Sequence, residues 1–323
     1  ELEFRTQKQR FVMKAVPKKA PVQQTLWDTA PVQEKALFDE SAMYKTLSEI
    51  EHNYQLIDSP DELDMFLSEF SKYPLLSFDT ETTGLDAVSA TPVGVSLCAE
   101  EGKAWYISTS KALSDKYIIE KIKPLLEDKS KTIIGQNLKY DLLVLKKYGV
   151  TAKAKLIDTM LAHYLIEPEQ RHNIDFLAMN YLQWQKISTE SLLGKKGTQQ
   201  TNMAQINAMQ IKDYACEDAD VAFRLWKILL PELQKLDLVN VFEKIEMPLI
   251  PVLVEMEYTG VKLDVQEIAR LKNSYQNESD EIEKKIYEYA GYQFNISSPK
   301  QLGELLFLRL KITDKPKLTK TKQ

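Results

Sequence analysis

The chain has 323 residues, of which 44% are hydrophobic and 28% charged, a composition typical of a globular protein of about two domains. No apolar run approaches the roughly 18 residues of a membrane span, and the N-terminus lacks the apolar core of a signal peptide. Two cysteines exclude a disulfide framework. We therefore expect a cytoplasmic protein with no membrane partner.

Charge is unevenly distributed along the chain, whose net charge is −5. Residues 1–20 sum to +4 and residues 309–323 to +5, so the remainder carries −14. An acidic body with basic ends is compatible with a metal-dependent nuclease, although it does not by itself predict one. Because the three histidines and two cysteines are widely separated, any bound metal would have to be held by carboxylates.

The first half of the chain alternates between strand and helix patterns after a proline-, lysine- and glutamine-rich stretch that is typical of a linker. Ser59 and Pro60 mark a helix start, since serine favours the cap position and proline the first turn. This alternation predicts an α/β domain over about residues 50–235. Its strands are predicted near residues 54–57, 75–79, 91–99, 104–107 and 132–135.

After Pro231 the pattern becomes almost entirely helical. Helices are predicted at 241–256, 265–290 and 300–310, with a turn and short strand at 259–264. No second sheet is expected. The chain starts at Glu1 and ends on a polar segment, so we expect it to be part of a longer protein.

The first acidic segment ends the buried strand 75–79. Asp79 and Glu81 are two residues apart, and side chains at that spacing project from the same face of a strand. Two like charges at the end of a buried strand are unfavourable unless a cation neutralises them. A pair of solvated acids in a turn is the alternative interpretation.

Two helical segments carry polar side chains four residues apart, a spacing that places them on one helix face. The first contains Asn137 and Asp141, where Asn137 could also cap the helix. The second contains Tyr214 and Asp218. Other acids are interpreted more simply: Asp158 as a helix N-cap, and Glu217 and Asp220 as a solvated helix face.

Taken together, these segments offer four carboxylates and one tyrosine. Carboxylate oxygens are the ligands that Mg²⁺ and Mn²⁺ prefer, and two such ions can stabilise the attacking and leaving oxygens of a phosphoryl displacement. A tyrosine hydroxyl one turn from Asp218 could hold a water in line. The sequence thus favours a phosphodiester hydrolase site without histidine.

These residues resemble a known family. Residues 78–86, FDTETTGLD, are similar to the first motif of the proofreading 3′–5′ exonucleases, and residues 137–141, NLKYD, are similar to the second. Tyr214 and Asp218 are similar to the third motif, in the tyrosine variant of the DEDD pattern. Residues 246–261 and 294–303 resemble the start of the polymerase domain of bacterial family A DNA polymerases, and residues 1–6 the tail of their 5′-nuclease domain.

The resemblance implies a ribonuclease H-like mixed sheet flanked by helices, followed by a helical segment that is a partial thumb. It divides the chain into the end of the 5′-nuclease domain and linker (1–48), the 3′–5′ exonuclease domain (49–235) and the start of the polymerase domain (236–323). It implies a proofreading exodeoxyribonuclease that acts on single-stranded or frayed DNA 3′ ends. The longer parent protein would be cytoplasmic and nucleoid-associated, and its polymerase domain would be the partner of the exonuclease domain. With no palm or fingers in this sequence, we expect no primer extension.

The family also implies residue roles. Asp79 would bridge two divalent ions, Mg²⁺ or Mn²⁺, with Glu81 and Asp218 completing the tighter site, where Zn²⁺ is an alternative. Asp141 would hold the second ion mainly through water, and Tyr214, helped by Glu81, would position the nucleophile. The DNA-binding candidates are Thr80, Leu85, Asn137, Lys195 and Lys196.

One feature departs from the family. The place of its stacking aromatic falls near Thr189 or Glu190, where no aromatic stands, and the nearby Trp184 is expected in the core. A catalytically weak or inactive single-strand DNA-binding scaffold is therefore the main alternative. An RNase D-like RNA trimmer is a second, which comparing RNA with DNA substrates would distinguish.

Overall fold

The structure is a computed structural model that describes residues 44–194 and 201–313. The chain divides into two compact units between Ile250 and Pro251. The first unit contains the whole sheet and the candidate site, and the second is helical within its described residues. The predicted linker up to residue 43 and the basic end from residue 314 lie outside the described residues.

A six-stranded mixed sheet forms the centre of the first unit, in the order β1-β4-β3-β2-β5-β6. Strand β3 is antiparallel to β2 and β4, whereas the other neighbouring pairs are parallel. This arrangement, flanked by helices, confirms the predicted α/β mixed sheet. The strands are β1 (Asn53–Ile57), β2 (Leu75–Thr82), β3 (Pro92–Glu100), β4 (Lys103–Ser108), β5 (Thr132–Gly135) and β6 (Lys155–Asp158).

The helices of the first unit surround this sheet, and α7 is the longest of them. It runs for 28 residues and continues through Pro231, where the sequence pattern had suggested a change of character. The helices are α1 (Pro60–Phe70), α2 (Asp115–Glu127), α3 (Leu138–Lys146), α4 (Thr159–Ile166), α5 (Ile174–Leu182), α6 (Thr189–Leu193), α7 (Ala208–Lys235) and α8 (Val239–Val241). Short 3₁₀ turns cover Leu47–Glu49 and Met203–Gln205, and a π-helical turn covers Phe242–Glu246.

Helix α7 lies against strands β2, β3 and β4. Its buried face carries the small residues Ala215, Ala219 and Ala222, which allow the helix backbone to approach the sheet closely. Glu217 and Asp220 are also fully buried on this helix, so the expectation of a solvated acidic face was wrong. The sheet, helices α4 and α5 and the loop at Trp184 together cover more of the helix circumference than a simple amphipathic pattern suggests.

Strand β2 carries the first acidic segment at its C-terminal end. Asp79 pairs with Ser96 of β3 and Glu81 with Gly94, and the register shifts after Glu81. A side chain at position 94 would displace Tyr106, because a Cβ there would lie 2.3 Å from the Tyr106 ring. The close approach of strands β2, β3 and β4 thus fixes the backbone that bears Glu81.

The second unit contains two helical segments and the end of α9. Helix α9 covers Met247–Thr259, α10 covers Val265–Ala290 as predicted, and α11 covers Pro299–Gly303. The predicted helix 300–310 instead continues from α11 as a π-helical turn, Glu304–Arg309, and the short strand expected at 259–264 is absent from these described residues. Within the described part of the chain, no helix is both long and apolar enough to cross a membrane.

Candidate active site

Three carboxylates from β2 and α7 meet beside the sheet. One carboxylate oxygen each from Asp79, Glu81 and Asp218 lies within 4.8 Å of the other two. The strand places Asp79 and Glu81 on one face, and the packing of α7 on β2 brings Asp218 to them. Three hard oxygen ligands at this spacing fit a divalent cation such as Mg²⁺ or Mn²⁺.

The electrostatics of this cluster also favour a cation. Burial, and then the charges of Asp141, Glu81 and Asp218, raise the pKa of Asp79 well above its ordinary value. Burial and the charge of Asp218 likewise raise the pKa of Glu81 to about 8. The positive charge of Lys186 opposes this rise in both pKa values, but only in part. A bound divalent ion would supply the missing compensation.

Asp141 is buried in the same region but lies outside the three-carboxylate cluster. It sits in the first turn of α3, and its Oδ1 accepts hydrogen bonds from the backbone N (3.0 Å) and Oγ1 (2.6 Å) of Thr80. Burial raises the pKa of Asp141 to about 7, although these two hydrogen bonds lower it in part. The hydroxyl of Thr80, a predicted DNA contact, is therefore occupied by Asp141.

Asp158 fixes the start of the helix that carries Asp141. Its carboxylate accepts hydrogen bonds from the backbone N of Asn137 (3.1 Å) and Leu138 (2.8 Å), and it also accepts one from Met160 N at the start of α4. The predicted N-cap role of Asp158 is confirmed, and the same side chain additionally anchors α3. Asn137 occupies the cap position of α3 with a left-handed φ of 63°, but its side chain makes no cap hydrogen bond. Asn137 therefore occupies the cap position that the sequence suggested, but its side chain does not supply the cap hydrogen bond.

Tyr214 lies one helical turn before Asp218 on α7. Its hydroxyl is 3.1 Å from Oγ1 of Thr189. The charge of Asp218, followed by burial, raises the pKa of Tyr214, so the phenol stays protonated and able to donate. Thr189, one of the two residues near which the family's stacking aromatic was expected, is thus a partner of Tyr214.

The remaining DNA-binding candidates are not gathered around the cluster by any described contact. The side chain of Leu85 is 98% exposed in the segment that joins β2 to β3. Asn202 donates a hydrogen bond from Nδ2 to the carbonyl of Thr83 (2.8 Å), which ties that segment to the start of the turn before α7. Lys195 and Lys196 lie outside the described residues.

Two functional candidates escaped the sequence reasoning. Lys186 has a side chain that is only 1% exposed, and its ammonium forms an ion pair with Asp218. Glu217 accepts hydrogen bonds from Nε1 of Trp184 and the backbone N of Ile187, both 2.7 Å long. Trp184 is buried, as predicted. A lysine between glutamine and isoleucine in a loop gives no sign of burial in the sequence, so no local pattern could have identified Lys186.

Two family models match this chain. Residues 54–234 match the family model described as 3′–5′ exonuclease, and residues 265–323 match DNA polymerase family A. The chain therefore belongs to the 3′–5′ exonuclease family, as the resemblance had predicted, and carries the exonuclease domain of a DNA polymerase I-type protein.

Similar proteins of known sequence are bacterial DNA polymerases I. The enzyme of Pseudomonas aeruginosa is 35% identical over 293 residues, which are 87% of this chain and 32% of that protein. The enzyme of Borreliella burgdorferi is 35% identical over 300 residues, which are 89% of this chain and 32% of that protein. The chain thus spans about a third of the length of these relatives.

Similar solved structures point the same way. The POL domain of Pol1 from M. smegmatis in complex with DNA primer-template and dNTP has a TM-score of 0.64 and 26% identity, covering 83% of this chain and 43% of that chain. Brucella melitensis NrnC with bound Mg²⁺ has a TM-score of 0.50 and 20% identity, covering 67% of this chain and 98% of that chain. The second likeness is one of fold alone.

Proposed function

We propose that this chain is a two-metal 3′–5′ exodeoxyribonuclease that removes nucleoside monophosphates from single-stranded or frayed DNA 3′ ends. The observation that carries the proposal is the meeting of Asp79, Glu81 and Asp218 within 4.8 Å, in a chain of the 3′–5′ exonuclease family. Frayed ends are favoured because an unpaired terminus reaches a pocket at lower cost than a paired one.

The three-carboxylate cluster fits a divalent ion, and we propose a second ion beside it, with Mg²⁺ or Mn²⁺ as the preferred occupants and Zn²⁺ as an alternative in the tighter site. When bound, such ions stabilise the attacking and leaving oxygens of an in-line displacement. Asp79 would contact both ions, Glu81 and Asp218 would complete the tighter site, and Asp141 would reach the second through water. The hydrogen bonds from Thr80 orient Asp141 for that role.

Tyr214 would position the attacking water. Its protonated hydroxyl can donate to or accept from a water beside Asp218, and the hydrogen bond with Thr189 limits its rotation. Glu81, buried at the end of β2, would accept a hydrogen bond from the same water. Both residues act by orientation, which aligns the water with the scissile bond.

DNA contacts are proposed for Thr80, Leu85, Asn137, Lys195 and Lys196. Leu85 is an exposed apolar side chain that could wedge beside a terminal base. The two lysines would contact phosphates, which predicts salt-sensitive binding.

The proposed domain organisation has three parts: residues 1–48 are the nuclease tail and linker, 49–235 the exonuclease domain and 236–323 the partial thumb. The parent would be a cytoplasmic, nucleoid-associated DNA polymerase of replication and repair, whose polymerase domain is the exonuclease's partner.

A scaffold that binds single strands without cleaving them is the second candidate. The observation that favours it is the lack of an aromatic at Thr189 and Glu190, near which the family's stacking residue was expected, because neither side chain offers a flat surface to a base. The intact carboxylate cluster opposes it.

The test is degradation of a 5′-labelled single-stranded DNA oligonucleotide with Mg²⁺, Mn²⁺ or EDTA. We expect a ladder that shortens from the 3′ end, depends on the metal, is lost in Asp79→Ala and is retained in Asp61→Ala, which removes an exposed acid of the same unit. Binding without a ladder would favour the scaffold. Faster cleavage of an RNA of the same sequence would favour an RNA trimmer.

A further inference from the structure

Lys186 is a buried cation placed at the edge of the candidate metal site. Besides its ion pair with Asp218, its Nζ lies 3.9 Å from Oε2 of Glu217 and 3.8 Å from Oδ1 of Asp175. The same Nζ is 5.1 Å from the centre of the Tyr214 ring. One ammonium thus faces three carboxylates, and one of these belongs to the three-carboxylate cluster.

The backbone that carries Lys186 is fixed from two sides. Trp184 pairs with Lys45 in an isolated bridge, with backbone hydrogen bonds of 2.9 Å on either side. Glu217 receives the indole N–H of Trp184 and the backbone N–H of Ile187, so it holds the loop on both sides of Lys186. The lysine is therefore aimed at α7 by the fold, and its position does not depend on a flexible loop.

An ammonium and a divalent ion cannot share Asp218 without strong repulsion at such short range. Of the three carboxylates in the cluster, Asp218 is the one that forms a described ion pair with Lys186. Glu217 and Asp175 lie within 4 Å of the Lys186 ammonium, are not members of the cluster, and offer it alternative partners. The side chain can then remain paired when Asp218 is taken by a metal.

We propose that Lys186 is a built-in counterion that competes with the divalent metal for Asp218 and moves to Glu217 and Asp175 when the metal binds. The inference rests on the proposed metal-dependent function and deepens it. Lys186 would stabilise the metal-free protein and weaken metal affinity, so that the tighter site fills at a higher concentration of the ion than it would without the lysine.

Binding of Mn²⁺ alone, measured by calorimetry and by the thermal shift of the full chain, tests this role without reference to activity. We expect Lys186→Met to bind Mn²⁺ at least about tenfold more tightly than the wild type, because the competing charge is gone. The metal-free form of Lys186→Met should melt at a lower temperature than the metal-free wild type, and Mn²⁺ should raise its melting temperature by more. Lys186→Arg, which keeps the charge, should bind no more tightly than the wild type.

Asp175→Asn supplies a second variant at a half-exposed position, where misfolding is not a concern. It removes one alternative partner of the lysine, so we expect Mn²⁺ to bind several-fold more weakly. In the Lys186→Met background the same change should have little effect, whereas a plain loss of negative charge would weaken binding equally in both backgrounds.

The outcomes separate the two claims. Wild-type binding that requires Asp79, with no tightening in Lys186→Met and an equal effect of Asp175→Asn in both backgrounds, would overturn the competition and leave the proposed function standing. No Mn²⁺ binding that requires Asp79 would overturn both. Tighter binding by Lys186→Met together with a background-dependent effect of Asp175→Asn would establish the competition.

Discussion

Two long helices of this chain have nearly the same length and very different surroundings. Helix α7 has 28 residues, of which 14 are buried, whereas α10 has 26 residues, of which none is buried. Both are amphipathic and rich in charge. The difference shows that an amphipathic pattern alone does not determine burial; a helix becomes a core element when a sheet covers it.

The acids of the two helices differ accordingly. Asp220 of α7 accepts hydrogen bonds from the hydroxyl of Tyr54 (2.8 Å) and the backbone N of Gly102 (3.0 Å), and it pairs with Arg224. On α10, Glu267 pairs with Arg270 at the surface, where such pairs contribute little. The buried carboxylates of α7 are therefore part of a network or of the site, whereas Glu267 on α10 is solvated.

The largest expected contrast is in catalysis. Asp218→Asn, in the cluster on α7, should lower the rate of 3′-end cleavage by on the order of 10²–10³-fold, the range for losing one fixed electrostatic group. Asp280→Asn, an exposed acid on α10, should leave that rate unchanged. Single-turnover cleavage of a 5′-labelled oligonucleotide measures both. A similar loss in the two variants would show that the acids of α10 contribute to the reaction.

The next contrast is in folding stability. Leu225 is fully buried on α7, so Leu225→Ala should lower the free energy of unfolding by about 2–5 kcal/mol through lost contacts and a cavity. Ile282 on α10 is 49% exposed, and Ile282→Ala should change it by no more than about 0.5 kcal/mol. Urea unfolding followed by circular dichroism gives both values. A cost for Ile282→Ala comparable to that of Leu225→Ala would reveal a packed α10.

A smaller effect is expected with pH in the metal-free protein. Folding raises the pKa of Glu81 to about 8 and of Asp141 to about 7, above their ordinary values of 4.5 and 3.8. The contribution of these two groups to the free energy of unfolding is therefore complete below about pH 4 and is lost progressively as the pH rises to between 7 and 8. The melting temperature in EDTA should fall between about pH 4 and about pH 8. Glu81→Gln should reduce the fall, and a melting temperature that rises over the same range would contradict the account.

Sequence patterns captured those parts of the molecule that depend on local periodicity. The placement of Asp79 and Glu81 on one face follows from the two-residue repeat of β2, and the cap by Asp158 follows from its position before a helical apolar run. The bounds of α10 were likewise predicted, because a long charged helix needs no tertiary contact to be recognised.

Features that depend on distant partners could not be predicted in this way. Glu217 is buried because Trp184 and Ile187 reach it from a loop 30 residues or more away. Lys186 is buried because that loop folds across α7. Neither contact can be recognised from the neighbouring residues in the sequence. Glu217 was therefore predicted to be solvent-exposed, and Lys186 was not predicted to have a role.

The most direct test of the central claim is anomalous diffraction from crystals of the full chain grown with Mn²⁺. The account predicts an Mn²⁺ peak bonded to Asp79, Glu81 and Asp218, a second peak about 3.5–4 Å from it on the side of Asp141, and neither peak in Asp79→Ala. Crystals of active protein with no anomalous peak at these carboxylates would contradict it.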